Sequence, residues 1–266
     1  MYQLAEIGWN ISPEIFSIGP LAVRWYSLLF ALGIILSYQI MSIFFLNEKK
    51  NIKDLDVLTI YVVIGTVVGA RLGHCFFYHP EYYLSNPLEI FQIWKGGLAS
   101  HGAVIAILIS LYFFIKKKPE FSFLWLVDRL VIVGALAGCL IRIGNFFNSE
   151  IYGIPSDLPW AVVFERVDNI PRHPAQLYEA IAYLLIFLFL FFYYKKLKGK
   201  TQNGLFFGYF LVLLFGARFL LEYFKDLQAD VESQMIFHIG QYLSIPFVLA
   251  GFYFIFRAIR NRKTNA

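Results

Sequence analysis

The chain has 266 residues, of which 59% are hydrophobic and 15% are charged. One soluble core cannot bury that much apolar surface, so the composition excludes an ordinary soluble domain and predicts a polytopic membrane protein. The net charge of +5 does not indicate a nucleic-acid-binding protein, because the lysines and arginines lie in short clusters between apolar segments.

Seven apolar segments follow one another along the chain, each close to the length of about 20 residues that a helix needs to cross a bilayer. We therefore predict an all-α polytopic membrane protein with seven transmembrane helices, built as a single integral-membrane domain over residues 1–266. Cys75 and Cys139 lie inside these segments, so we expect packing residues rather than a disulfide. The segments run over about residues 21–46, 57–79, 98–115, 124–147, 175–194, 205–225 and 237–259.

The basic residues define the expected orientation. They cluster in the connections after the first, third, fifth and seventh segments, and the positive-inside rule places such connections in the cytoplasm. This predicts a periplasmic amino terminus and a cytoplasmic carboxy terminus. Residues 1–19 contain no lysine or arginine, unlike the start of a signal peptide, and we expect them to remain as an outer segment. The clusters are Lys49, Lys50 and Lys53; Lys116, Lys117 and Lys118; Lys195, Lys196, Lys198 and Lys200; and Arg257, Arg260, Arg262 and Lys263.

The fourth apolar segment runs into a polar stretch that holds Arg142, Asn145, Asn148 and Glu150 within about two helical turns. An ionisable residue at membrane depth costs about 2.5–3.5 kcal/mol on insertion scales, so it normally faces a bundle interior or a wet cavity. A lone arginine could instead extend from a helix end to lipid phosphates. The accompanying carboxylate and amides favour a functional site.

Other ionisable groups of the apolar segments are expected on the same outer side of the membrane. Arg218 and Glu222 stand four residues apart on one helical face, where a purely structural pair is the alternative to a site. Arg71 either belongs to the site or ties helices together. His101 is either a general base or a histidine satisfied by a backbone carbonyl. Its neighbour Gly102, which permits close approach of a ligand or another backbone, favours the base.

Several other residues have simpler interpretations. Asp128 and Arg129, at the inner start of the fourth segment, predict an interfacial anchor or a local ion pair. His173 lies between prolines, which is typical of a rigid re-entry turn. Gly65 and Gly69 predict a contact between helices through small residues.

The arginines around an outer-leaflet cavity indicate a phosphate-bearing ligand, because a guanidinium can bind phosphate oxygens bidentately. Anionic phospholipid is the abundant ligand at that depth. The five histidines are scattered and neither cysteine has a nearby partner, so we expect no metal, and no other cofactor is indicated. A rhomboid-like serine protease is disfavoured because the sequence has no Gly-x-Ser-Gly turn.

Residues 142–153, Arg-Ile-Gly-Asn-Phe-Phe-Asn-Ser-Glu-Ile-Tyr-Gly, resemble the signature of the prolipoprotein diacylglyceryl transferase family of bacterial inner membranes. Further motifs resemble the family in its own order over about residues 16–251. The chain departs from the family pattern at Ile141 and Ser27, where glycine is usual, and at Lys225, where some members have arginine. The further motifs are Phe16 to Pro20 with Arg24, Trp25 and Tyr26; Gly69 to Gly73; Gly96 to Gly102; Pro171 to Glu179; Gly216 to Arg218 with Glu222; and Leu243 to Pro246.

The resemblance implies transfer of the diacylglyceryl group from phosphatidylglycerol to the lipobox cysteine thiol of a preprolipoprotein signal peptide, with release of glycerol phosphate. It implies an inner-membrane enzyme whose active site faces the periplasm and whose partners are membrane lipids and not nucleic acid. By similarity and placement, His101 is the leading general base, with a carboxylate as the open alternative, and Arg142 and Arg218 stabilise the departing phosphate. The remaining expected site residues are Asn145, Glu150 and Glu222, which orient the arginines, and Tyr26, Gly102 and His173, which contact substrate.

An anion or lipid-phosphate transporter, lined by the same arginines, is the alternative function. It predicts an internal repeat and a midplane site formed by broken helices. The sequence shows neither feature, and its polar groups cluster toward one side of the membrane.

Overall fold

The computed structural model describes residues 7–19, 21–93, 96–226 and 237–264 and is mostly helical. Pro20, which belongs to the amino-terminal motif, lies outside the described residues. Short 3₁₀ turns over Pro87–Phe91 and Glu222–Phe224 follow α3 and α7. The helices are α1 (Trp25–Asn47), α2 (Ile52–Tyr78), α3 (Pro80–Ser85), α4 (Ser100–Lys117), α5 (Phe123–Asn148), α6 (Ala175–Leu197), α7 (Leu205–Leu221) and α8 (Ile239–Thr264).

Within the described residues, seven helices are long and apolar enough to cross a membrane, which confirms the predicted number. Their boundaries differ from the prediction where other structure precedes the apolar run. Helix α1 begins at Trp25 rather than at residue 21, because residues 21–24 form a strand. Helix α2 begins at Ile52 rather than at residue 57, because the Asn51 side chain accepts a hydrogen bond from the Lys53 backbone N–H (3.0 Å) and caps a polar first turn.

Short strands correct the purely α prediction. Strand β1 (Ile7–Trp9) pairs in parallel with β4 (Val162–Phe164), which pairs antiparallel with β5 (Pro171–Arg172). Strands β2 (Glu14–Ile18) and β3 (Leu21–Arg24) form an antiparallel hairpin that leads directly into α1. The sheet therefore joins the amino-terminal segment to the connection between α5 and α6.

The chain divides into two compact units, the larger of which comprises residues 1–37 and 127–266. In the larger unit, α5 contacts α1 and α6 through small residues. Gly33 of α1 faces Ala137, and Gly138 faces the Tyr183 ring of α6, where an added Cβ would lie 3.1 Å from the ring. These close approaches place the end of α5 beside α1 and α6.

Asp128 fixes the start of α7 within the larger unit. Its carboxylate accepts hydrogen bonds from the backbone N–H groups of Gly204 (2.7 Å) and Phe207 (2.8 Å). Arg129 lies 3.9 Å from the same carboxylate. A carboxylate at a helix amino terminus satisfies otherwise unpaired donors and interacts favourably with the helix dipole. The expected local role of this acidic and basic pair is confirmed.

The smaller unit comprises residues 38–126 and is built on close packing of α2 against α4. A Cβ added at Gly69 would meet both the Ala106 side chain and the Gly102 carbonyl, and one added at Gly65 would meet Ser110. This confirms the predicted contact through small residues. The two cysteines are buried and free, Cys75 in this unit and Cys139 in the larger one.

Candidate active site

The last turns of α5 bring together three of the predicted site residues. Arg142 donates from Nη1 to the Asn145 side-chain oxygen (3.3 Å), and Asn145 donates to Glu150 Oε1 (2.7 Å). Asn148 donates to the same carboxylate oxygen at 3.1 Å. Residues 142, 145 and 148 recur every three positions, so they share one side of the helix. The predicted association of Arg142, Asn145 and Glu150 is thus present in the structure.

A tight turn after α5 returns Glu150 toward the helix. Ser149 and Ile151 have φ values of 55° and 59°, and Glu150 N–H bonds the Asn145 carbonyl (3.1 Å). A β-branched residue rarely adopts a left-handed backbone, because it costs free energy that the surroundings must supply. Gln176, at the start of α6, donates from Nε2 to the Glu150 carbonyl (2.7 Å) and secures the turn.

Helix α6 contributes a buried carboxylate, Glu179, whose side chain is 0% exposed. Its Oε2 lies 2.8 Å from Arg142 Nε, and its Oε1 lies 2.9 Å from Lys225 Nζ. A charge this far from water is tolerated when cations and hydrogen bonds compensate it. Glu179 therefore connects α5 to the segment that follows α7.

The end of α7 adds Arg218 and Glu222 to the same network. Lys225 Nζ also lies 3.2 Å from Glu222 Oε2, and Arg218 bonds the Tyr183 hydroxyl and interacts electrostatically with Glu179 and Glu222. The larger unit thus joins Arg142, Lys225 and the two carboxylates through ion pairs, and Arg218 interacts electrostatically with the same carboxylates.

Helix α8 approaches this network through a glycine. A Cβ added at Gly240 would overlap the Glu222 carboxylate. A side chain at position 240 would therefore displace that carboxylate, which places the start of α8 against the network.

Tyr26 lies at the edge of this network. Its ring packs on Gly144, where an added Cβ would lie 2.8 Å from Cδ2, and it interacts electrostatically with Glu150 and Arg142. The structure therefore brings Tyr26 to the predicted stretch. Its contact with substrate stays a prediction.

His173 is part of the extramembrane connection between α5 and α6. Its backbone exchanges hydrogen bonds with Gly153 and Ile154, and its Nδ1 lies 3.1 Å from the Tyr178 hydroxyl. Burial lowers the pKa of His173, which favours the neutral ring. These contacts account for a re-entry turn, and a role in binding substrate stays a prediction.

Arg172 also stabilises the connection between α5 and α6. Its guanidinium binds the Asp168 carboxylate (2.7 Å from Nη2 to Oδ2) and Asp226 (3.1 Å), and it lies over the Tyr152 ring. The hydrogen bonds from Arg172 lower the pKa of Asp168. These ion pairs hold strand β5 in place immediately before α6 begins. They thereby help to set the position of Glu179 in α6.

The smaller unit contains His101 and Gly102 at the start of α4. The His101 ring packs edge-on against Phe77 (4.8 Å between centroids) and near Tyr78, and its buried Nε2 has no hydrogen-bond partner among the residues that the structure describes. Gly102 packs against Gly69, so the helix contact alone accounts for the glycine at that position.

Arg71 ties together the smaller unit. Its guanidinium donates to the carbonyls of Glu89 (2.6 Å), Ile90 (2.9 Å) and Gly96 (2.6 Å), and it stacks on the Tyr83 ring. Backbone carbonyls thus occupy both edges of the guanidinium. The structure favours the tying role over a ligand-binding one.

The sequence of the chain matches that of known proteins over nearly its whole length. A family profile described as prolipoprotein diacylglyceryl transferase matches residues 13–257. The chain belongs to the prolipoprotein diacylglyceryl transferase family. It is 52% identical over 243 residues to the phosphatidylglycerol–prolipoprotein diacylglyceryl transferase of Tolumonas auensis, covering 91% of this chain and 94% of that protein. The protein of the same name from Chloroherpeton thalassium is 50% identical over 257 residues (97% and 96%), and that from Bacteroides fragilis is 42% identical over 265 residues (95% of each).

For this diacylglyceryl transferase family member, two residues of the network were not predicted as site residues. Glu179 ends the motif from Pro171 to Glu179, which assigns it no role, and Lys225 stands at the predicted end of the sixth apolar segment, where some members of the family have arginine. A signal for Glu179 was present, because a carboxylate inside the apolar run after residue 175 needs a buried cation. Lys225 carried no such signal, since a lysine at a segment end normally extends to the interface.

The arrangement of charged groups in this transferase suits the binding of a negatively charged phosphate group. Arg142 is only partly buried, with 15% of its side chain exposed, and its contacts with Glu179 and Asn145 hold its orientation. A guanidinium held in this way can donate its other N–H groups to phosphate oxygens at no reorganisation cost. The larger unit therefore contains an oriented cationic group beside the polar turn at Glu150.

Proposed function

We propose that this chain transfers the diacylglyceryl group of phosphatidylglycerol to the lipobox cysteine thiol of preprolipoproteins. The observation that carries the proposal is the Arg142–Glu179–Lys225 network in a chain that belongs to this transferase family. An enzyme that displaces a phosphate needs cations at the position where negative charge develops. A thioether-linked lipoprotein precursor and glycerol phosphate are the products.

The reaction adds negative charge to the departing phosphate. An arginine stabilises that charge best when its guanidinium is held facing the phosphate. The cysteine sulfur forms a bond to the glyceryl carbon, the bond from that carbon to the phosphate oxygen breaks, and the thiol proton passes to a base. The lipid phosphodiester carries one negative charge, and the released monoester carries two once the sulfur has replaced it. Arg142 and Arg218 are proposed to stabilise that added charge, with Asn145, Glu150 and Glu222 orienting them.

His101 is the proposed general base. A thiolate is the reactive form of cysteine, so a base must remove the proton before or during attack. The unpartnered Nε2 of His101 among the described residues supports this role. Tyr26, Gly102 and His173 are proposed to contact the lipid or the peptide.

The proposed setting is the bacterial inner membrane, with the amino terminus and the site toward the periplasm. The basic clusters after alternate helices support this orientation through the positive-inside rule. Phosphatidylglycerol and the lipobox of a signal peptide would both reach such a site from the membrane.

Product analysis tests the function. The purified protein in vesicles that contain phosphatidylglycerol is incubated with a lipobox peptide, and the peptide mass is measured. We expect the mass to increase by one diacylglyceryl group, with an equal amount of glycerol phosphate released. A peptide with serine in place of cysteine is the control and should not gain mass. Unmodified cysteine peptide after incubation with a folded protein would contradict the proposed function.

A further inference from the structure

We propose that Glu179 is a positioning residue that sets the arrangement of Arg142, Arg218 and Lys225 around the departing phosphate. The inference rests on the proposed function and extends it to a residue that sequence reasoning left without a role. Glu179 does not touch the reacting atoms. It acts on the cations that do.

The geometry shows how one carboxylate can hold two cations, Arg142 and Lys225. Oε2 is committed to Arg142 Nε at 2.8 Å and Oε1 to Lys225 Nζ at 2.9 Å, so the two oxygens serve two different parts of the chain. Arg218 interacts electrostatically with the same carboxylate. With one edge of the Arg142 guanidinium held at Nε, the opposite edge has a defined direction.

Burial makes this arrangement rigid. The Glu179 side chain is fully buried and that of Lys225 is 4% exposed, so water does not compete for either partner. Neighbouring structure also limits movement. Glu222 occupies the other side of Lys225. The Gly153 N–H donates to the His173 carbonyl, and the Gly153 carbonyl accepts from the Arg172 guanidinium. A rigid support of this kind is what an oriented arginine requires.

Two possible roles of Glu179, as a negative charge and as a residue that positions the cations, predict opposite effects when its charge is neutralised. Replacing the carboxylate by an amide adds one positive charge to the network, and simple attraction would then strengthen binding of an anionic lipid. If Glu179 positions the cations, the same change should slow the chemical step, because displacement of a catalytic group by about 1 Å can cost about 10²-fold in rate. The two effects separate in kcat and KM.

The experiment compares E179Q, E179D and D128N with the wild type in phosphatidylglycerol vesicles, with rates expressed per folded molecule. D128N is the matched control, since Asp128 is equally buried but caps α7 beside Arg129 and forms no ion pair with Arg142 or Lys225 among the described residues. We expect E179Q to lower kcat by about 10–10²-fold with KM for phosphatidylglycerol unchanged or lower. E179D keeps the charge and should recover part of kcat. D128N should lose thermal stability and keep the wild-type kcat.

Wild-type kcat in E179Q would overturn the inference, and so would equal losses of kcat in E179Q and D128N, which would indicate general destabilisation. If E179Q does not fold, E179D decides: its shorter side chain cannot reach both cations, so a kcat equal to the wild type would contradict the positioning role. An inactive wild type would overturn the proposed function and this inference with it. An active wild type beside an equally active E179Q would overturn the inference alone.

Discussion

Arg142 shows how a partly buried arginine can be constrained and remain useful for binding. Its Nε is paired with Glu179 and its Nη1 with Asn145, and 15% of its side chain is exposed. Arg71, in contrast, has both edges of its guanidinium covered by carbonyls at 2.6–2.9 Å. The two arginines are the same residue type in similar apolar helices, and their partners decide which one can bind a ligand.

His101 gives a prediction at the same scale. We expect His101→Gln to reduce transfer by about 10²–10⁴-fold per folded molecule, because a general base contributes about that factor. Glutamine keeps the size and some hydrogen bonding of the ring and loses its basicity, so the amount of folded protein should change little. The measurement is the initial rate of thioether formation together with the melting temperature.

His79 provides a control from the same unit, since it is exposed at the end of α2 and near His74. His79→Gln should keep the wild-type rate. Full specific activity in His101→Gln would remove the histidine from the mechanism and turn attention to Glu150 or Glu222. A variant that loses yield while its surviving fraction stays active would instead show that the ring serves packing against Phe77.

At the scale of elements, apolar length predicted the number of membrane helices, because each segment needs about 20 residues to cross the bilayer. The strands could not be predicted, since β1 pairs with β4 from a segment more than 150 residues later. Pairing over such a distance leaves little local pattern in a three-residue strand. The start of α2 was missed for another reason, because its polar first turn precedes the apolar run.

The site was predictable where its residues lie close in sequence. Arg142, Asn145 and Glu150 occupy one short stretch, so helix geometry alone brings them together. Glu179 and Lys225 join them from α6 and from beyond α7, and those contacts depend on helix packing that sequence does not show. The role of a buried charge becomes visible when its partners are known.

The glycine contact between α2 and α4 gives a prediction about an element. Gly69→Ala should destabilise the protein by about 1–3 kcal/mol, because the new Cβ would overlap Ala106 and the Gly102 carbonyl and force the helices apart. Denaturation followed by circular dichroism in detergent measures the change. Gly134→Ala is the control, since the described residues leave open space around its Cβ, and it should be neutral or slightly stabilising. Equal stability of the two variants would contradict the close helix contact.

At the scale of the whole molecule, charge is distributed unevenly between the connections. Basic clusters lie at the carboxy-terminal ends of α1, α4 and α6 and in the residues that follow them. The connection between α5 and α6 instead contains the strands β4 and β5 and the ion pairs of Arg172. A structured connection with its charges paired is what we expect on the side where translocated segments fold.

Reporter fusions test this orientation. Fusions at Lys50, Lys117 and Lys198 should report the cytoplasm, and a fusion at Ser156 should report the periplasm, because positive residues close to helix ends are retained inside. A phosphatase reporter, active outside, and a fluorescent reporter, active inside, give opposite signals at each position and so control for expression. A cytoplasmic Ser156 would place the end of α5, and with it Arg142 and Glu150, at the inner face. Phosphatidylglycerol and a translocated lipobox would then have to be reached from the other side of the membrane.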